Sequence, residues 1–143
     1  MYEKILVPIM GKYSEELAES TLALINSRDV EIIGLYVIDD SAPFLTPKKI
    51  MELMAKELKE KGEVFLKEFE ELLDLSNNTN ISFKKILLKG KPAEKIIKIA
   101  TDEDIDVIVM GTGKSIVDKH LLGSVSDEVV HFAPCTIHLV RTI

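Results

Sequence analysis

Short apolar runs alternate along this chain with longer stretches whose apolar residues recur every three or four positions. "KILVPI" (4–9) predicts a buried strand. A helix is expected from Ser14, as its capping residue, to about Ser27, with Leu17, Ala18, Thr21, Leu22 and Ile25 on one face. "VEIIGLYVID" (30–39) predicts a second strand. Thr46-Pro47 reads as a capping hydroxyl followed by proline at the first helical position. The helix it opens runs to about Leu73 on the spacing of Ile50, Met54, Leu58, Phe65, Phe69 and Leu72, with Gly62 as a candidate bend. After a polar loop (75–80) come a third strand, "ISFKKILLK" (81–89), and a helix opened by Pro92 with Ala93, Ile96, Ile97 and Ala100 inward. A nearly all-apolar fourth strand (105–111), a fourth helix within 121–132 and a fifth strand (135–141) complete the series.

Strict strand–helix alternation with nearly continuous apolar strands implies an α/β fold. The expectation is a single domain over 1–143: an open five-stranded parallel sheet with helices on both faces and right-handed crossovers. In such sheets ligands bind beyond the carboxyl ends of the strands. Here those ends hold Pro8-Ile9-Met10-Gly11, Val37-Ile38-Asp39-Asp40, Lys89-Gly90-Lys91 and Gly111-Thr112-Gly113-Lys114.

Composition narrows the picture. There is no Trp, so the core must be mainly aliphatic. A formal net charge of −6 and the lack of a long basic run argue against a nucleic-acid partner. The apolar run at the start is too short for a signal peptide or a membrane span, so a cytoplasmic location without a membrane partner is expected. Cys135 is the one cysteine, which excludes an internal disulfide and a thiolate metal cluster.

"MGTGKS" (110–115) ends as a P-loop ends, yet a P-loop needs glycine five residues before Gly113, and Ile108 stands there inside a strand. The helix that follows also starts too late, with "IVDKH" before "LLGS". The loop fits an anion site better when combined with Gly123-Ser124. Glycines admit close backbone approach, and a helix N-terminus offers free N–H groups to phosphate.

The stretches "KILVPI", "LYVID", "DVIVMGT" and "LLGSVSDEVVHFAPCTIHLV" resemble the universal stress protein family along nearly the whole chain. The resemblance implies a Rossmann-like sheet of order 3-2-1-4-5 and a homodimer through the fifth strand, residues 135–141. Many members bind ATP, usually with little turnover, and others bind no nucleotide. The ATP binders carry G-x-x-G, nine residues, then G-[ST]. This chain has Gly111-Thr112-Gly113, nine residues (114–122) and Gly123-Ser124, so the first gap is one residue short. By resemblance Gly113, Lys114 and Ser115 would wrap the phosphates and ribose, Gly123, Ser124 and Val125 would hold phosphate, and Val37 would lie at the adenine. Pro8 and Met10 would line the same pocket. Where the family usually has Asp just after Pro-x, this chain has Met10, and a thioether cannot accept hydrogen bonds or hold a metal as a carboxylate does.

Two readings follow. One is a non-enzymatic regulatory protein of the stress response that holds ATP, with Mg2+ or Mn2+ as a companion ion, and scarcely hydrolyses it. The other is a nucleotide-independent interaction module of the same fold. A phospho-receiver is discounted, because Met10-Gly11 and Gly90-Lys91 occupy the places its acidic residues require. His120, His131 and His138 show no metal-ligand spacing, and Cys135 reads as a small buried hydrophobe. Asp39-Asp40 reads as a solvated pair at a strand end.

Overall fold

The computed structural model describes residues 2–26, 28–41, 45–113 and 122–142. Along them run β1 (Lys4–Pro8), α1 (Ser14–Ala23), β2 (Val30–Asp39), α2 (Lys48–Asp74) and β3 (Ile81–Gly90). Then come α3 (Pro92–Asp102), β4 (Val107–Gly111), α4 (Ser124–Phe132) and β5 (Thr136–Val140). The strands form one parallel sheet in the order β3-β2-β1-β4-β5. The reversal of strand order falls between β1 and β4, so the carboxyl ends of those two strands face the crevice where such sheets bind ligands.

The apolar strands serve two cores because alternate side chains leave the sheet on opposite faces. Ile5, Val7, Ile32, Val107 and Val109 pack with Leu17 and Ala18 of α1 and Leu66, Phe69 and Leu73 of α2. Leu6, Ile33, Leu35, Ile108 and Met110 pack with Ala93, Ile96 and Ala100 of α3 and Val129 of α4. The register that sets Leu6 between Ile33 and Ile108 keeps this alternation in phase across three strands. At the amino edge the Asp106 carboxylate accepts hydrogen bonds from the Glu3 and Lys4 N–H groups at 2.8 and 2.9 Å, fixing the start of β1 beside β4.

Several local expectations change. Ser14 is the first helical residue of α1 and not its cap; Tyr13 precedes it at φ 75°, and no side chain caps the helix. Pro47 likewise flanks α2 with ψ at 140° instead of starting it, again without a side-chain cap. Helix α2 runs unbroken through Gly62, and the glycine lets the Tyr36 ring lie against the helix. Ile50 and Met54, which share the helical spacing of α2, are exposed, and Ile97, expected inward, is only partly covered. Helix α4 begins at Ser124, so Leu122 and Gly123 belong to the approach.

Candidate functional site

The carboxyl end of β4 is built by backbone and hydroxyl groups. Thr112 N–H donates to the Val140 carbonyl at 2.8 Å, carrying the β4–β5 pairing one residue past the strand. Thr142, just beyond β5, then closes on the loop. The Gly113 N–H donates to Thr142 Oγ1 at 3.1 Å, and the Thr142 N–H donates to Thr112 Oγ1 at 3.3 Å. Gly111 permits this approach, since a Cβ there would stand 2.6 Å from Thr142 Oγ1.

The two glycine segments, nine residues apart in sequence, meet in space. Gly123 N–H donates to the Thr112 carbonyl at 3.0 Å, and Ser126 Oγ donates to the Gly111 carbonyl at 2.8 Å. Gly113 turns at φ 69°, the left-handed region that glycine enters without a Cβ penalty, and a Cβ there would lie 3.4 Å from Gly123 Cα. Gly123 is extended and precedes α4 with no side-chain cap. Among the described residues the first-turn N–H groups of α4 have neither a capping side chain nor an intrahelical acceptor, an arrangement that attracts anions.

A cavity of about 400 Å³ opens beside this junction. Pro8, Met10, Gly111 and Gly113 line it, four of the residues expected there. Thr112 bridges the two glycine segments, Ser124 is exposed at the head of α4, and Val125 packs into the core beneath it. Val37 is not in the cavity wall; it packs with the core on the α3 and α4 face. Lys114 and Ser115 lie outside the described residues.

Five contributors escaped the sequence reading: Lys12, Tyr13, Leu17 and Thr142 in the cavity wall, and Ser126 behind it. Only the β4–β5 register brings Thr142 to Gly111 and Gly113. Lys12 is the one cation among the described lining residues, which include no carboxylate. The wall therefore suits an anion with an apolar portion, with Lys12 on the polar side and Pro8, Met10 and Leu17 on the other; Gly123, Ser124 and Val125 at the head of α4 are not part of it.

Elsewhere Asp39 Oδ1 accepts from the Ser41 N–H at 2.9 Å and from its hydroxyl, so this carboxylate closes a local turn. Among the described residues no three His, Cys, Asp or Glu side chains gather as a metal site. Burial and the nearby Asp106 charge push the Cys135 thiol pKa up, opposite to the shift that activates a nucleophile. No described helix is long and apolar enough to cross a membrane.

Residues 1–141 match the model of the Universal stress protein family. A universal stress protein of Methanothermobacter thermautotrophicus is 59% identical over 143 residues, covering 100% of this chain and 98% of its relative. The solved structure of the Methanocaldococcus jannaschii protein MJ0577 superposes with a TM-score of 0.74 at 30% identity, covering 100% of this chain and 98% of that one. An Arabidopsis thaliana universal stress protein family member solved with AMP bound superposes with a TM-score of 0.66 at 21% identity, covering 99% and 92%.

Proposed function

The chain belongs to the universal stress protein family, and from that premise we propose that it is a regulatory protein that binds ATP at the β1–β4 crevice and hydrolyses it little. The observation that carries the reading is the meeting of Gly113 with Gly123 beside the cavity, at an α4 N-terminus without a side-chain cap. The AMP held by the Arabidopsis relative supports an adenine nucleotide as the ligand class. The phosphates would lie toward Gly123, Ser124 and Lys12, and the base toward Pro8 and Met10. A wall whose described residues include no carboxylate or histidine able to take a proton from water supports low turnover. Mg2+ or Mn2+ would be held by the phosphates and water, since the described wall offers no carboxylate ligand.

Two measurements test this together. Purified protein is denatured and its supernatant resolved by ion exchange, and the nucleotide-free protein is titrated with ATP by calorimetry. Co-purified nucleotide or a saturable heat signal is expected. A clean supernatant with no heat overturns the reading.

A specific contact favours a second reading, the nucleotide-independent interaction module. The Gly113 N–H, which a phosphate would want, is already bonded to Thr142, and Met10 replaces the family's carboxylate. Under that reading Gly123→Val leaves partner binding intact. Both readings include a cytoplasmic homodimer through β5, an edge strand bonded on one side to β4, with Leu139 exposed on it and Phe132 exposed at the preceding helix end. A proline at Leu139 is expected to abolish that dimer in sedimentation.

A further inference from the structure

Three hydroxyl groups tie the β4–α4 junction together, and they do not use their protons alike. Ser126 Oγ donates to the Gly111 carbonyl at 2.8 Å, and Thr112 Oγ1 donates to the Gly113 carbonyl at 3.4 Å. Thr142 Oγ1 accepts instead. The Gly113 N–H comes to it at 3.1 Å, and no described residue takes its proton. A hydroxyl carries one donor beside its lone pairs, so Thr142 still has a proton to give.

The surroundings say where that proton goes. Thr142 is only 8% exposed, yet it lines the cavity shared by Pro8, Met10, Lys12 and Gly113. On its other side it presses on Gly111, where a Cβ would stand 2.6 Å from Oγ1 and 2.8 Å from Cγ2. Its own N–H is held by Thr112 Oγ1 at 3.3 Å, which fixes the backbone that carries the side chain. The open side is the cavity. A donor there, with Lys12 in the wall and no described carboxylate, suits an anionic oxygen.

The neighbouring N–H groups lead to the same place. Thr112 N–H goes to the Val140 carbonyl and Gly123 N–H to the Thr112 carbonyl, both within the backbone. The Gly113 N–H ends on a side chain. A hydroxyl that accepts one hydrogen bond is polarised into a better donor of the next, so Thr142 hands on the polarity of the Gly113 N–H. The glycine gap here is one residue short of the pattern it resembles, with Thr112 alone between Gly111 and Gly113. Thr142 extends the reach of that short loop by one oxygen.

We propose that Thr142 is an anion-binding residue, whose hydroxyl accepts from the Gly113 N–H and donates to a phosphate oxygen of the ligand. The proposal rests on the reading of the β1–β4 crevice as an ATP site. Under it the Gly113–Thr142 bond is part of the site and not an obstacle to it.

The test uses the full chain, freed of nucleotide. Thr142→Val keeps the shape of the side chain and removes the O–H, Thr142→Ala removes it without crowding Gly111, and Thr142→Ser keeps it. Valine and alanine are each expected to weaken ATP roughly tenfold by calorimetry, as loss of a hydrogen bond to a charged group does, and serine to stay within about threefold of wild type. Inorganic tripolyphosphate, read by its displacement of ATP, is expected to weaken by the same factor, and adenosine to keep its affinity. ATP held by Thr142→Val and Thr142→Ala as tightly as by wild type, or more tightly, overturns the proposal and leaves the ATP reading standing. An equal loss for adenosine also overturns it, and makes Thr142 a wall residue only. A wild-type chain that takes neither ATP nor tripolyphosphate overturns the underlying reading and the proposal with it.

Discussion

Two regions of the molecule rest on glycines for different reasons. In the α2–β2–β3 layer, Gly62 and Gly34 make room for rings. A Cβ on Gly62 would stand 2.4 Å from Tyr36 Cδ1, and one on Gly34 would stand 2.7 Å from Phe83 Cζ. At the β4–α4 junction, Gly111 and Gly113 make room for a hydroxyl and a turn. Gly62, Gly34 and Gly111 answer to crowding and Gly113 to its positive φ, and the first two serve a core while the last two shape a cavity wall. The difference predicts where a methyl group damages folding and where it damages binding.

The largest effect is expected at Gly62. Tyr36 is buried, its ring tilts against Phe65 at a centroid distance of 6.2 Å, and the clash falls near the base of that ring, where rotation gives no relief. Gly62→Val is expected to cost about 3 kcal/mol, far beyond the helix propensity a side chain would add. For a chain of this size that corresponds to a fall in Tm of roughly 10 °C by calorimetry. A Tm within two degrees or so of wild type would erase the distinction between the two regions.

Gly111→Ala comes next, at about 2 kcal/mol, because the new methyl meets Thr142 Oγ1 and Cγ2. The cost has one named partner, so a double-mutant cycle can isolate it. In a Thr142→Ala background the penalty of Gly111→Ala is expected to fall by half or more, read from urea unfolding. Additive costs would mean that Thr142 is not what Gly111 accommodates.

This pair also shows what sequence could and could not reveal. The strands were readable because each is an apolar run between turn residues, and Gly111, Gly113 and Gly123 because their spacing resembles a split phosphate loop. Thr142 was not readable: its contact with Gly113 depends on the β4–β5 register, which no local pattern encodes. Helix α2 failed differently. Ile50 and Met54 recur at helical spacing, but they stand about 100° and 60° around the helix from Phe69, off the face that packs on the sheet. Spacing alone does not say which face of a long helix the sheet covers. The caps expected at Ser14 and Thr46 failed because a general side-chain preference does not decide which residue flanks a helix. Tyr13 in the left-handed region and an extended Pro47 took those places.

A smaller stability effect with a larger functional one is expected at Gly113. Alanine can occupy the left-handed region there at a cost of about 1 kcal/mol, and its methyl would rest in van der Waals contact with Gly123 Cα and Ser126 Oγ at 3.4 Å. The fold should survive. The methyl would stand in the cavity wall beside the junction of the two glycine segments, so ATP affinity by calorimetry is expected to fall at least tenfold while Tm drops by only a few degrees. A proportionate small loss in both would return Gly113 to the role of a simple turn residue.

The smallest effect belongs to Gly34, although its clash distance nearly matches that at Gly62. The difference lies in what must move. At Gly34 the nearest obstructing atoms are the tip of Phe83, a half-buried ring on the edge strand β3, which has one neighbouring strand, with the flexible end of Leu66 next at 3.3 Å. Swinging that tip aside loosens its 5.7 Å contact with Phe69 and costs about 1 kcal/mol. Replacing glycine by alanine inside a strand returns roughly 0.5–1 kcal/mol through lower chain entropy. The two terms nearly cancel, so Gly34→Ala is expected to shift Tm by no more than about two degrees either way. A loss as large as that of Gly62→Val would show that the edge ring is held as firmly as the central one, and that clash distance alone ranks these sites.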